Sequence, residues 1–278
     1  MITRFKLENI FKWIIALTVS FIILFPLYWI FISSITPAGE LFQRPIKYIP
    51  ENPTLSNYIY LIKNTGLYDK IISTFIIITT TLLISTIICV MAAYSFARYD
   101  SIGLKIAFLF ILFSMLIPNV VTARPLYDFM RKVGLYDTYT GLIILYISRV
   151  IPFTVLILRN FVSNIPITIE EAAAIDGADF SQTIFHIILP LMKPAIATVS
   201  ITNFIMCLNE FFIPLFYANN IQVLSTAITQ LPLQDNMYSV PWDLVSSMGW
   251  IIILPIIIFV SVFEKQIMEG IMAGGVKA

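Results

Sequence analysis

Residues 160–193 read "NFVSNIPITIEEAAAIDGADFSQTIFHIILPLMK" and separate two long apolar stretches. Inside them, residues 170–180, "EEAAAIDGADF", place four acids among eleven residues. Pro166 ends whatever helix precedes it, because its ring blocks continuation. Thr168 and Glu171 then stand in Thr-x-x-Glu spacing, which predicts a capping box. Ile169 to Ile175 would form about two turns. Gly177 suits the left-handed residue that closes such a helix. Asp179 can cap a following helix that runs through Phe180–Leu189 to Pro190. Helices this short are marginal in water, so the acidic one needs a surface to dock against.

The surroundings are those of a membrane protein. The chain has 278 residues, 59% hydrophobic and 12% charged, with mean hydropathy +0.90. Soluble domains carry about 25% charged residues. A net charge of +1 argues against nucleic acid or another polyanion as partner. Cys89 and Cys207 sit inside apolar runs and read as small buried hydrophobes. His186, the single histidine, reads as structural. No metal set and no catalytic group stands out.

A helical span needs about 20 mostly apolar residues. Uncharged runs place six: 12–33, 71–97, 105–123, 139–159, 194–217 and 244–263. The fourth contains Arg149 and the fifth Glu210. The first follows a basic start but is too long for the ~7–15-residue apolar part of a signal peptide, so it reads as a retained span. The fold expected is all-α, a polytopic membrane protein of six transmembrane helices. We divide it into residues 1–70, a first span with an external loop, and residues 71–278, a five-span core that carries the loop 160–193. An even number of spans puts both termini on one side. With that side inside, nine Lys and Arg lie within and seven outside, a weak form of the positive-inside bias. The stretch "RPLYDFMRKVGLYDTY", 124–139, mixes charges and aromatics as an interfacial helix does.

Charged groups at mid-membrane cost about 2.5–3.5 kcal/mol on insertion scales and face the bundle interior or water. Arg149 and Glu210 are therefore either a structural pair or separate positions along a translocation path. Asn203 and Asn209, with Asn119 and Thr122, are candidates for lining that path. Phe204, Phe211 and Phe212 are candidates for stacking on a solute.

Glu171-Ala172-Ala173, three residues, Gly177, nine residues, then Ile187-x-Leu189-Pro190 is similar to the EAA motif of membrane subunits of binding-protein-dependent ABC importers. "LNEFFIPL", 208–215, and "GIMAGGVKA", 270–278, resemble the carbohydrate-importer branch, the maltose- and glycerol-phosphate-type permeases. The likeness spans essentially the whole chain. It departs at Leu208, where many relatives carry Trp. The resemblance implies that the acidic helix is a cytoplasmic coupling helix. Glu171, Ala172, Ala173, Asp176 and Gly177 would dock on an ATP-binding subunit, with Thr168, Ile187, Leu189 and Pro190 as support. It further implies two ATP-binding subunits, a second and different permease chain, an external solute-binding protein, and a cell-membrane location with both termini cytoplasmic. The tail Gly274–Ala278 would reach toward the ATP-binding subunit. The chain has no G-x-x-x-x-G-K-[ST] phosphate loop. It is thus expected to hold no cofactor, with ATP bound by partners, and to be no enzyme. An ion-coupled secondary transporter is the alternative, with Arg149 and Glu210 as its only intramembrane charges.

Overall fold

The structure is a computed structural model that describes residues 2–232 and 240–264. The tail 270–278, Lys265 and Lys277 lie outside the described residues. Every regular element described is helical: α1 (Ile2–Ile35), α2 (Ala38–Leu41), α3 (Ser56–Asn64), α4 (Leu67–Arg98), α5 (Ile102–Ser114), α6 (Asn119–Lys132), α7 (Tyr139–Ser163), α8 (Ile167–Ile175), α9 (Phe180–Leu191), α10 (Lys193–Leu208), α11 (Phe212–Tyr217), α12 (Leu224–Ala227) and α13 (Trp242–Val262). Four of these are long and apolar enough to cross a membrane: Phe11–Ile35, α4, α7 and α13. Two bent pairs, α5 with α6 and α9 with α10, raise the number to six if each is one span.

The chain divides into two compact units, residues 1–68 with 227–254, and residues 69–226 with 255–278. In the first, α1 leaves Phe11, Trp13, Leu17 and Phe21 exposed, as a lipid-facing helix does. Its C-terminal end is tied by polar contacts. Asn57 donates to the carbonyls of Ser34 and Thr36, Ser34 Oγ meets Tyr58 Oη at 2.7 Å, and Ser247 donates to the Ser34 carbonyl. These buried groups satisfy one another, which a water-poor setting requires.

In the second unit α7 is central. One core cluster gathers Ile77, Leu145, Val150, Phe204 and Leu208, and another gathers Val90, Val155, Leu158, Ile188 and Val199. Between Thr154 on α7 and Asn203 on α10 runs a fully buried hydrogen bond, 2.8 Å from Nδ2 to Oγ1.

The third and fifth sequence-derived spans need correction. Helix α5 stops at Ser114, and α6 leaves at 104° to it. Pro118 explains the break, since a proline ring collides with the carbonyl four residues earlier, here that of Ser114. The run 105–123 therefore falls in two helices, the second of which, Asn119–Lys132, overlaps the first part of the expected interfacial segment 124–139. In the same way α10 ends at Leu208 rather than running to 217. In a continuous helix Pro214 would collide with the carbonyl of Glu210, which favours a break there. The chain breaks over 209–211 and restarts as α11.

The corner between α6 and α7 is closed by Asp137, which holds a left-handed φ of 57°. Its carboxylate accepts the N–H groups of Asn219, Asn220 and Ile221 and the Asn220 side chain. Burial opposes ionisation, but these donors outweigh it and hold the carboxyl below its ordinary range. The stabilisation is present above about pH 4, where an unfolded carboxylate ionises. It is lost as pH falls through the lower folded value. Asp137→Asn should thus lower thermal stability in detergent at neutral pH, and the gap should close on acidification. At the same corner a Cβ on Gly141 would strike the Leu135 backbone carbonyl. Gly141→Ala should cost about 1–3 kcal/mol, read as a lower melting temperature.

Candidate functional site

Helix α8 begins directly after Pro166, with no side-chain cap. The expected Thr168–Glu171 capping box is absent. The helix starts at Ile167, so Thr168 already lies inside its first turn and is exposed. The other local expectations hold. Gly177 has φ 85° and closes the helix. Asp179 caps α9, accepting from the Gln182 N–H at 2.7 Å, while the Gln182 side chain accepts from the Asp179 N–H. Helix α9 carries one π-helical turn over Thr183–Ile188. Ile187 and Leu189 are half-buried, and Pro190 is exposed.

One face of α8 is open. Glu171, Ala172, Ala174, Asp176 and Gly177 are exposed, and Ile175 is 86% exposed. Ala173 is the buried residue of the helix. It therefore belongs to the inner face and leaves the expected docking set.

Glu170 and Glu171 are neighbours with different surroundings. Glu170 points inward, and its side chain is 10% exposed. Its Oε1 accepts from Arg98 Nε at 2.6 Å, and its Oε2 from Tyr94 Oη at 2.7 Å. Arg98 also donates through Nη2 to the Ile165 carbonyl at 2.9 Å. The Tyr94 ring lies edge-on to Phe180 at 5.9 Å. Sequence reasoning missed Glu170, Arg98 and Tyr94. The partners stand 72 to 76 residues from Glu170, and no local pattern relates them.

The second candidate region surrounds Arg149. Arg149 Nε lies 3.8 Å from Glu210 Oε2, so the two form an ion pair too long for a hydrogen bond. Glu210 is not inside a helix. It follows the α10 cap residue Asn209 and accepts the N–H groups of Phe212 and Ile213 through Oε1 at 2.9 and 3.1 Å. Its freed backbone carbonyl accepts from Ser225 Oγ at 2.6 Å. Arg149, by contrast, leaves 45% of its side chain exposed. It lines a cavity of about 800 Å³ together with Ser114, Asn119, Thr122, Ser148 and Phe212. Ser114, Thr122 and Ser148 donate their hydroxyl protons to carbonyls of their own helices. Their lone pairs therefore remain available to a ligand.

Not every expected lining residue is there. Asn203 is fully buried against Thr154, and Phe204 is stacked on Phe259 at 4.2 Å. Both are packing residues. Asn209 and Phe211 are exposed but do not line the cavity. His186 is exposed. Both cysteines are free and buried.

Glu210→Ala removes an acceptor from the start of α11 and leaves Arg149 without its carboxylate. The cap alone is worth about 0.5–2 kcal/mol. Glu210→Gln keeps the acceptor, so thermal unfolding should rank the alanine variant below the glutamine variant.

Residues 85–269 match the family model described as "Binding-protein-dependent transport system inner membrane component". The chain is 30% identical over 254 residues to the sulfoquinovosyl glycerol transport system permease protein of Agrobacterium fabrum, covering 91% of this chain and 89% of that one. It is 28% identical over 273 residues to the trehalose/maltose transport system permease protein of Thermococcus litoralis, covering 98% of each. Among solved structures it resembles a chain of a bacterial ABC transporter involved in the import of the acidic polysaccharide alginate. There the TM-score is 0.78 at 23% identity, over 94% of this chain and 96% of that one.

Proposed function

The chain belongs to the family of inner-membrane components of binding-protein-dependent transport systems, and on that premise we propose that it carries a saccharide or related polyol inward as one permease subunit of an ATP-driven importer. Solute arrives on an external binding protein and passes into a cavity between this subunit and a second, different permease. Two ATP-binding subunits sit on the cytoplasmic face, where both termini of this chain also lie. Nucleotide drives the cycle by binding the closed state of those subunits better than the open one. The relatives that serve transport of sulfoquinovosyl glycerol and of trehalose and maltose support a carbohydrate solute.

One observation carries the coupling role. An isolated nine-residue helix is marginal in water, yet α8 presents Ile175 at 86% exposure beside the exposed carboxylate of Glu171. An apolar tip with a free acid fits a groove that offers a hydrophobic floor and a basic residue. Ala172 and Ala174 allow close approach of the two backbones. Glu171, Ala172, Asp176 and Gly177 are the docking residues in this reading. Arg149, Asn119 and Thr122 line the solute's route. The ion-coupled alternative loses its premise, because Glu210 is committed to the start of α11 and to Arg149.

Two experiments test this. Ile175→Glu should strip the ATP-binding subunits from the complex purified in mild detergent, while the external receptor still binds. A cysteine at Ala172 should crosslink to an ATP-binding subunit and stay protected from impermeant thiol reagents in intact cells. Labelling of that cysteine from outside would falsify the orientation. The solute class is read by which sugar, supplied with the cognate receptor, stimulates ATP hydrolysis.

A further inference from the structure

We propose that Arg98 and Glu170 are positioning residues of the transport cycle, and that their buried pair makes α4 move as one piece with the acidic helix. The inference rests on the reading that α8 docks on an ATP-binding subunit, and adds the path by which its displacement reaches the second span.

Helix α8 has two covalent links. Pro166 joins it to α7, and the left-handed Gly177 joins it to α9. Neither link reaches α4. Packing contributes little more, since Ala173 is the buried residue of α8 and Ile169 is half-buried. The contact with α4 is instead polar and multiple. Arg98, the last residue of α4, holds Glu170 through Nε and the corner carbonyl of Ile165 through Nη2. Tyr94, one turn earlier, takes the other carboxylate oxygen. Both oxygens of Glu170 are thus fixed, one by α4's last residue and one by its last full turn.

Three features make this a stiff joint rather than a surface ion pair. Both side chains are 10% exposed, so solvent screening is slight and removing one partner strands a buried charge. The guanidinium is planar and holds its donors in a fixed fork, which sets direction as well as distance. Each charge also sits at the favourable helix end, the cation at the C-terminus of α4 and the acid in the early turns of α8. Helix α4 is well placed to pass the motion on. Cys89, Val90 and Ala93 pack in one core cluster with Val155 and Leu158 of α7, and Ile77 and Ile78 pack in the other. Near its far end, Thr74 Oγ1 accepts the N–H of Leu224.

The test uses the assembled complex with its receptor in lipid nanodiscs. Glu170→Gln should co-purify with the ATP-binding subunits and keep their basal hydrolysis. Receptor- and solute-stimulated hydrolysis and transport should fall by about tenfold. The charge exchange Arg98→Glu with Glu170→Arg should recover a large part of that loss, which a merely space-filling role would not allow. Wild-type rates of stimulated hydrolysis and transport in Glu170→Gln overturn the proposal. So does loss of the ATP-binding subunits from that variant, because Glu170 would then be holding the partner directly. If Ile175→Glu retains its ATP-binding subunits, the docking reading fails instead. A second measurement needs no destabilising variant. Spin labels at the exposed Met91 on α4 and Ile167 on α8 should report one narrow distance that nucleotide leaves unchanged. A nucleotide-dependent change in that distance overturns the proposal.

Discussion

In hydrocarbon, a backbone carbonyl or N–H released from a helix finds no water to replace its lost partner. That constraint governs where this chain bends. Pro118 and Pro214 each disfavour a helix passing over the carbonyl four residues earlier, and the chain turns at both places, whereas Pro152 and Pro255 stay inside helices. At the second break the repair is local. The Glu210 side chain receives the first N–H groups of α11, and Ser225 takes the Glu210 carbonyl. At the corner before α7, Asp137 collects three backbone N–H groups from the segment after α11. The irregular backbone is tolerated because side chains satisfy it.

This reading changes what the intramembrane charges mean. Glu210 first serves as a helix cap, and its reach toward Arg149 follows from that position. A cap fixes the carboxylate more firmly than a lone ion pair, because two backbone donors aim at one oxygen. Arg149 is less bound and looks into the cavity. A cavity with one unsaturated guanidinium, hydroxyl lone pairs and aromatic walls is able to hold a hydroxyl-rich solute by hydrogen bonds and by stacking on ring faces. The buried pair of Thr154 and Asn203 has another task. It fixes the register of α7 against α10, where a purely apolar seam would allow sliding.

The acidic helix divides its work between two adjacent residues. A helix turns about 100° per residue, so Glu170 and Glu171 cannot face the same neighbour. Glu170 faces the body of the protein and is neutralised there by Arg98. Glu171 faces outward with Ile175. In the docking proposed above, a helix fastened on one side and free on the other would be able to pass force to the body of the protein, which a loosely hung helix cannot do.

Local and periodic features were legible in the sequence. The uncharged runs marked the four long apolar helices, while Gly177 marked the left-handed stop and Asp179 the start of α9 because those two effects act within one turn of chain. Composition gave the solvent, and the spacing from Glu171 to Pro190 gave the family likeness. The two proline breaks were visible as residues but were overridden by apolar run length, which counts hydrophobicity and ignores carbonyl sterics. Tertiary structure alone decided which of the paired acids turns inward and that Asn203 packs instead of lining a path. It also set Glu210 as a cap. Those outcomes depend on partners 49 and 72 residues away, or on a helix failing to continue. Neither leaves a periodic trace, because side chains that meet across a bundle share space and not sequence.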